Sequence, residues 1–262
     1  MTTEFSEVEQ KALAAQMHSA IAVLDVAKVQ SLLASGVPPD VWGIEDDYDL
    51  PLQAVARRKG SEALSIAKAL IDAGAKINFQ ADYGCTALAR SVEGDGSDDW
   101  SMARYLIRAG ADPRRRDKDG RNPAEAASSD GRNGAVVAML QAGMDVNVKG
   151  VIGPLIWYCA WDAADVVREL LARGANPNSV ATKFPCAGQT PLQRAAESLA
   201  AGGVDEDTFC DIAIQLIQAG ADPSQIEPVP DCLVSFLLAR KEKAEMSSLP
   251  PGIVDRNPHG PL

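Results

Sequence analysis

Apolar positions along this chain fall into short helical stripes that end the same way six times. An apolar pair is followed by two spacer residues and a glycine: Leu32-Leu33 before Gly36, Leu70-Ile71 before Gly74, Leu106-Ile107 before Gly110, Met139-Leu140 before Gly143, Leu170-Leu171 before Gly174, and Leu216-Ile217 before Gly220. Counting back from each glycine, positions −3, −4 and −7 are apolar in all six segments, and position −8 in five, Lys28 being the exception. That spacing gathers the apolar side chains on one face of a helix, the face that packs against a neighbour. A glycine just past a helix adopts positive φ without steric cost, so each stripe predicts a helix with a sharp end. The steps between the glycines are 38, 36, 33, 31 and 46 residues, and a period in this range predicts a repeat array.

A second signature opens another helix in each repeat: Leu50-Pro51-Leu52, Thr86-Ala87-Leu88, Asn122-Pro123-Ala124, Gly153-Pro154-Leu155 and Thr190-Pro191-Leu192. Thr, Asn and Gly can cap a helix, and Pro is favoured at its first position. The unit is therefore helix, turn, helix, and an extended connection to the next start. From helix start to glycine the units beginning at Pro123 and Pro154 count 20 residues, those at Pro51 and Ala87 count 23, and that at Pro191 counts 29. The surplus of the last is expected in its inter-helix turn, within residues 200–207. The connections count 15, 13, 13, 11 and 17 residues, variation of the kind that surface loops tolerate.

These residues resemble the ankyrin repeat family. The matching elements are Gly-Cys-Thr-Ala-Leu (84–88), Gly-Gln-Thr-Pro-Leu (188–192), Gly-Ala-Asp-Pro (110–113 and 220–223) and Gly-Ala-Asn-Pro-Asn (174–178), and the resemblance covers about residues 12–240. It implies an all-α solenoid of about six helix-turn-helix units with β-hairpin-like fingers, whose concave side is built from the fingers and the first helices. The family usually has His after Thr-Pro-Leu. Here the positions are Gln53, Ala89, Glu125, Ile156 and Gln193, so the local hydrogen bonds of that histidine must be absent or replaced.

The ends of such an array need caps, because a terminal unit otherwise exposes its apolar face. Ser6-Glu7-Val8-Glu9 reads as a capping box opening a helix to about Val23, with Asp25–Ser35 as its partner. At the other end Pro228 and Pro230 precede the apolar segment Cys232–Leu238, read as a closing helix over 231–243. The expected organisation is one domain over 1–246: a cap at 6–41, units at 42–78, 79–114, 115–147, 148–179 and 180–225, then the closing helix. Residues 247–262, with Pro250, Pro251, Pro258 and Pro261, are expected to be a disordered tail.

Charge sharpens the picture. The net charge is −11, yet its sign varies along the chain. Residues 1–50 carry 9 acids and 2 bases, residues 201–262 carry 10 and 4, and residues 101–150 carry 9 bases and 6 acids. Overall acidity disfavours a nucleic-acid binder, which needs a broad basic footprint. The acidic N-terminal segment lacks the features of a secretory signal, and no apolar run is long enough to span a membrane. The five cysteines (85, 159, 186, 210 and 232) are scattered and lack a CxxC pair, which predicts reduced thiols and a cytoplasmic protein.

Catalytic chemistry finds little support. The only histidines are His18 and His259, and the sequence holds no HExxH, P-loop or GxGxxG motif. Gly94-Asp95-Gly96-Ser97-Asp98-Asp99 lacks the twelfth-position Glu of a calcium loop. The expectation is a non-enzyme without cofactor or metal, monomeric, holding one protein partner on its concave face, with stoichiometric inhibition or neutralisation of an enzyme or toxin as one form of that role.

Three features are candidates for that contact. The finger containing Trp42, Asp46, Asp47 and Tyr48 sets an acidic run between aromatics, as interface hot spots often do; the alternative is a solvated loop with Trp42 tucked inward. The basic finger Arg114–Arg121 suits carboxylate or phosphate, which leaves open a sensor of a phosphate-bearing ligand or nucleic acid; its alternating Asp117 and Asp119 also allow self-pairing. Trp157-Tyr158-Cys159-Ala160-Trp161 places bulk in a first helix where the family is small; Trp157 fills core space or joins the contact, and the family pattern puts Trp161 exposed on the concave side, with Phe184 beside it. With Arg57, Arg58, Tyr83, Arg115, Arg116, Lys118 and Ile152 these residues form the expected partner-binding set.

Overall fold

The computed structural model describes residues 7–42, 49–93, 99–226 and 229–247. Among these, the helices are α1 (Glu7–Ala22), α2 (Val26–Ala34), α3 (Pro51–Ala56), α4 (Gly60–Asp72), α5 (Ala87–Val92), α6 (Ser101–Arg108), α7 (Pro123–Ser129), α8 (Asn133–Gln141), α9 (Leu155–Cys159), α10 (Ala164–Ala172), α11 (Pro191–Ala200), α12 (Glu206–Gln218) and α13 (Asp231–Ser247). The odd-numbered helices α1 to α11 stack in one layer and the even-numbered α2 to α12 in a second, each pair joined across the layers, with α13 closing against α12. One apolar cluster runs lengthwise between the layers, from Met17 to Leu233. The array is an all-α solenoid.

All six apolar-pair endings have one geometry. Each glycine has positive φ, between 88° and 107°, and the residue after it reaches back to the helix. Val37, Ala75, Ala111, Met144, Ala175 and Ala221 donate their N–H groups to the carbonyls of Leu32, Leu70, Leu106, Met139, Leu170 and Leu216. These bonds satisfy carbonyls that the helix end leaves without partners. The same six carbonyl-bearing side chains are buried, five of them at 0 % exposure. Each therefore contributes about 1.5–3 kcal/mol to the lengthwise core.

The starts follow the predicted chemistry at four sites. Thr86, Asn122 and Thr190 accept the N–H of Ala89, Glu125 and Gln193, and Pro51 opens α3 after Leu50. The fifth differs by one residue, because Pro154 precedes the helix and pairs with Lys149 in an isolated antiparallel bridge. Glutamine replaces the family histidine at two starts. Gln53 Oε1 accepts from Leu50 N at 3.0 Å and its Nε2 donates to Phe79 O in the adjacent finger at 3.0 Å. Gln193 likewise joins Thr190 N and Gln225 O.

Two expectations fail here. The surplus of the unit beginning at Pro191 lies mainly in its helices, 10 residues in α11 and 13 in α12, and the turn takes the smaller part. Gly202 ends α11 with φ of 70°, and Asp205 caps α12 through Thr208 N, so the turn is only 201–205. The thiols are not all reduced either: Cys85, Cys159 and Cys186 are free, but Cys210, on α12, is disulfide-bonded. Scattered spacing says nothing about which sulfurs stacked helices bring together.

Candidate functional site

The fingers between units are hairpin-like turns, and backbone bonds tie neighbouring fingers together. Ala81 N–H donates to Cys85 O, Asp117 N–H to Arg121 O, Gly150 N–H to Gly153 O, and Ala181 N–H to Gln189 O, closing four fingers. Between fingers, Lys118 N–H donates to Tyr83 O at 2.8 Å and Thr182 N–H to Ile152 O at 2.7 Å. Gln80 Nε2 donates to Arg116 O at 2.7 Å, and Arg116 Nη2 to Lys149 O at 2.8 Å. The tips from Tyr83 to Thr182 thus form one hydrogen-bonded edge. Farther back, Asn78 bridges to the next unit by donating to Gly110 O and accepting from Asp112 N; Asn178 donates to Gly220 O.

The aromatic candidates divide by exposure. Trp42 is 53 % exposed and packs edge-on to Phe79, with ring centroids 5.5 Å apart. Tyr83 is 58 % exposed at a finger tip, with Lys118 Nζ 3.6 Å from its ring centroid. Its backbone has φ of 63°, a conformation uncommon outside glycine and found at tight turns. Phe184 stands 91 % exposed on the longest finger and does not pack beside Trp161 as expected. Asp46, Asp47 and Tyr48 lie outside the described residues.

Trp157 takes the first of the two places open to it, and Trp161 is only partly exposed. Trp157 is core, 1 % exposed, and its indole N–H donates to Gln189 Oε1 at 3.2 Å. Helix α9 ends at Cys159, so Trp161 lies in the turn after it, half-buried. The Arg194 guanidinium stacks on both rings, 4.5 Å from Trp157 and 4.0 Å from Trp161, and Glu197 holds it at 2.7 Å. A cation over an indole is attracted to the ring quadrupole, so Arg194 of α11 already engages part of the Trp161 ring.

The charged candidates are mostly paired within the molecule. Arg57 meets Asp49 at 3.2 Å and Glu93 at 3.5 Å, and Arg90 joins the same two acids. Arg58 is exposed at the end of α3. In the basic finger Arg114 pairs with Asp145 at 2.6 Å, Arg115 with Asp112 at 3.6 Å, and Arg121 with Asp117 and Asp119. Arg116 donates to Gly120 O as well as to Lys149 O. Ile152 is half-buried, its N–H donating to Tyr158 Oη at 2.7 Å.

Nothing in the residue pattern signals the cluster beneath that tyrosine. Glu125, 4 % exposed on α7, accepts Val151 N–H at 2.9 and 3.0 Å and Tyr158 O–H at 2.6 Å. Burial, and secondarily the bond to Glu125, pushes the Tyr158 phenol above its ordinary range. Burial also raises the thiols of Cys85 and Cys159, the latter up to about 12. Such protonated thiols are poor nucleophiles. Among the described residues no group of three or more His, Cys, Asp or Glu could hold a metal ion, and no helix is long and apolar enough to cross a membrane.

Comparison with known proteins places these features. The family description "Ankyrin repeats (3 copies)" matches residues 52–150, and "Ankyrin repeat" matches residues 153–182. No curated protein matches the chain. Among solved structures it is similar to the ankyrin repeat domain of Bcl-3, a unique member of the IkappaB protein family, with a TM-score of 0.62, 21 % identity, and coverage of 80 % of this chain and 87 % of that one. With its six glycine-ended helices and doubled helical stack, the chain belongs to the ankyrin repeat family of protein-interaction modules.

Proposed function

We propose that this chain is a non-catalytic module that holds one protein partner along the face made by its fingers and first helices. The observation that carries this reading is the exposure of Trp42, Tyr83 and Phe184 on finger segments. Large aromatic side chains of this kind dominate interface energetics when a partner covers them. Tyr83 stands on fingers already bonded to each other, which limits the ordering cost of association. A partner enzyme or toxin held stoichiometrically over its working surface would be inhibited, and such inhibition is the finer form of the proposal.

The phosphate-sensor alternative is weaker, since the chain carries a net charge of −11 and the basic finger interleaves its arginines with Asp112, Asp117 and Asp119. Affinity purification from the native source tests the proposal. The wild-type chain is expected to retain one protein at about equal stoichiometry, and a Trp42→Ala/Tyr83→Ala variant to lose it. Failure of the wild type to retain any stoichiometric protein would reject the reading.

A further inference from the structure

We infer that the outer edge of the three C-terminal fingers is a docking ridge for an acidic protein segment that carries an apolar side chain, with Phe184 as the anchor. This rests on the partner-binding reading above and names the partner's chemistry and its place. The observations are charge, exposure and rigidity, taken together on one edge.

The finger segments 111–122, 144–154 and 175–190 carry seven lysines and arginines against four acids, in a chain whose net charge is −11. The first finger is opposite in sign, with five acids and no base over residues 37–50. The basic groups of the ridge are on the surface: the side chains of Arg114, Arg115 and Arg116 are 65 %, 49 % and 43 % exposed, and Lys149 and Lys183 are exposed. Among the acids, Asp117 is turned inward at 13 % exposure and accepts the N–H groups of Asp119 and Arg121. The ridge therefore shows a partner more positive than negative charge, while the molecule as a whole repels acidic partners. Such a contrast selects where an acidic segment lands and speeds its encounter.

Phe184 supplies what charge cannot. It is 91 % exposed, next to Lys183, in a finger segment that contains no acid. Its finger is bonded to the preceding one through Thr182 N–H and Oγ1, both donating to Ile152 O. A large apolar side chain held out by an anchored segment fits an apolar recess, and the basic groups around it fit the acids of a rim. Nucleic acid suits this edge less well. Its excess of bases is small, whereas binding a phosphate chain depends on neutralising many phosphates.

The test is selection of a random-peptide display library on the immobilised full chain, followed by affinity measurement of the enriched peptides. Enriched peptides are expected to be net acidic with a bulky apolar residue, and to weaken as salt rises. Phe184→Ala and Lys183→Glu, both at exposed positions that leave the core untouched, are each expected to weaken them roughly ten-fold, as loss of a hot-spot contact does. Arg108→Ala, exposed on α6 in the even-numbered layer, is expected to leave them unchanged. Peptides without acidic bias, or indifferent to Phe184→Ala, would overturn the ridge. Enriched peptides that respond instead to Arg58→Ala, on the first-helix face, would overturn it while leaving the general partner-binding reading intact. Tighter binding of a single-stranded oligothymidylate than of any peptide would also overturn it, in favour of nucleic acid.

Discussion

At the residue scale the Glu125–Tyr158 cluster fastens the shortest finger to the helices beneath it. Glu125 stands where the family carries histidine, and its carboxylate takes the N–H of Val151 and the O–H of Tyr158, fastening residues 149–153 onto α7 and α9. Gly150 admits this packing, since a Cβ there would lie 2.4 Å from Tyr158 Cε2 and 2.7 Å from Glu125 Cδ. The phenol's raised pKa means that the folded state holds its proton more firmly than the unfolded chain. This contribution is fully present below the ordinary tyrosine value of about 10 and is lost as pH rises above it. Tyr158→Phe is expected to cost about 1–3 kcal/mol at neutral pH, by leaving Ile152 N–H and Glu125 short of a partner. The gap between wild type and variant should narrow in denaturant melts above pH 10; a gap that widens would contradict the assignment. In the sequence Tyr158 reads only as bulk, because its partners lie 33 and 6 residues away.

At the element scale, helix ends were legible and helix lengths were less so. The six glycines and the Thr, Asn and Pro starts act within one turn of chain, so local chemistry suffices to place them. Asp99 shows what such reading misses. Its carboxylate accepts Ser101 N–H at the start of α6 and Gly60 N–H at the start of α4 in the preceding unit, a cap whose second half is 39 residues away. These bonds, that from Ser101 first, hold the Asp99 carboxyl below its ordinary range. The stabilisation is present above the ordinary aspartate pKa and is lost as pH falls through the depressed folded value. Asp99→Ala should cost about 0.5–2 kcal/mol, in the range of a lost N-cap, with a drop in thermal midpoint at pH 7. A variant as stable as wild type would show that water serves both helices equally well.

At the scale of the whole molecule, the described helices pack on those of their own and neighbouring units, so stability is a sum of units and their interfaces. The last unit depends on α13: Leu233 is fully buried and Arg240 Nη1 donates to Ile217 O at 2.7 Å. A chain ending at Ile226 is expected to bind a hydrophobic dye and melt earlier, while most of its helical signal survives until its own transition. Unchanged melting would mean that α12 closes the array unaided. The lengthwise stack was legible from period alone. The position of Trp161 was not, because α9 ends after five residues and a cation from the next unit covers the ring.

The bonds between fingers have a mechanical consequence. Along the tips, adjacent units are joined by short directional links: Lys118 to Tyr83, Arg116 to Lys149, and Thr182 to Ile152. The even-numbered layer is joined by apolar contact and by a few side-chain links, Asp99 between α4 and α6 and Arg168 to Asp211 between α10 and α12. A row of plates fastened along one border flexes about that border, so changes in curvature open or close the opposite layer while the spacing from tip to tip stays fixed. Under load this edge is expected to act as a ruler, offering whatever docks along it the same intervals whether the solenoid is relaxed or bent.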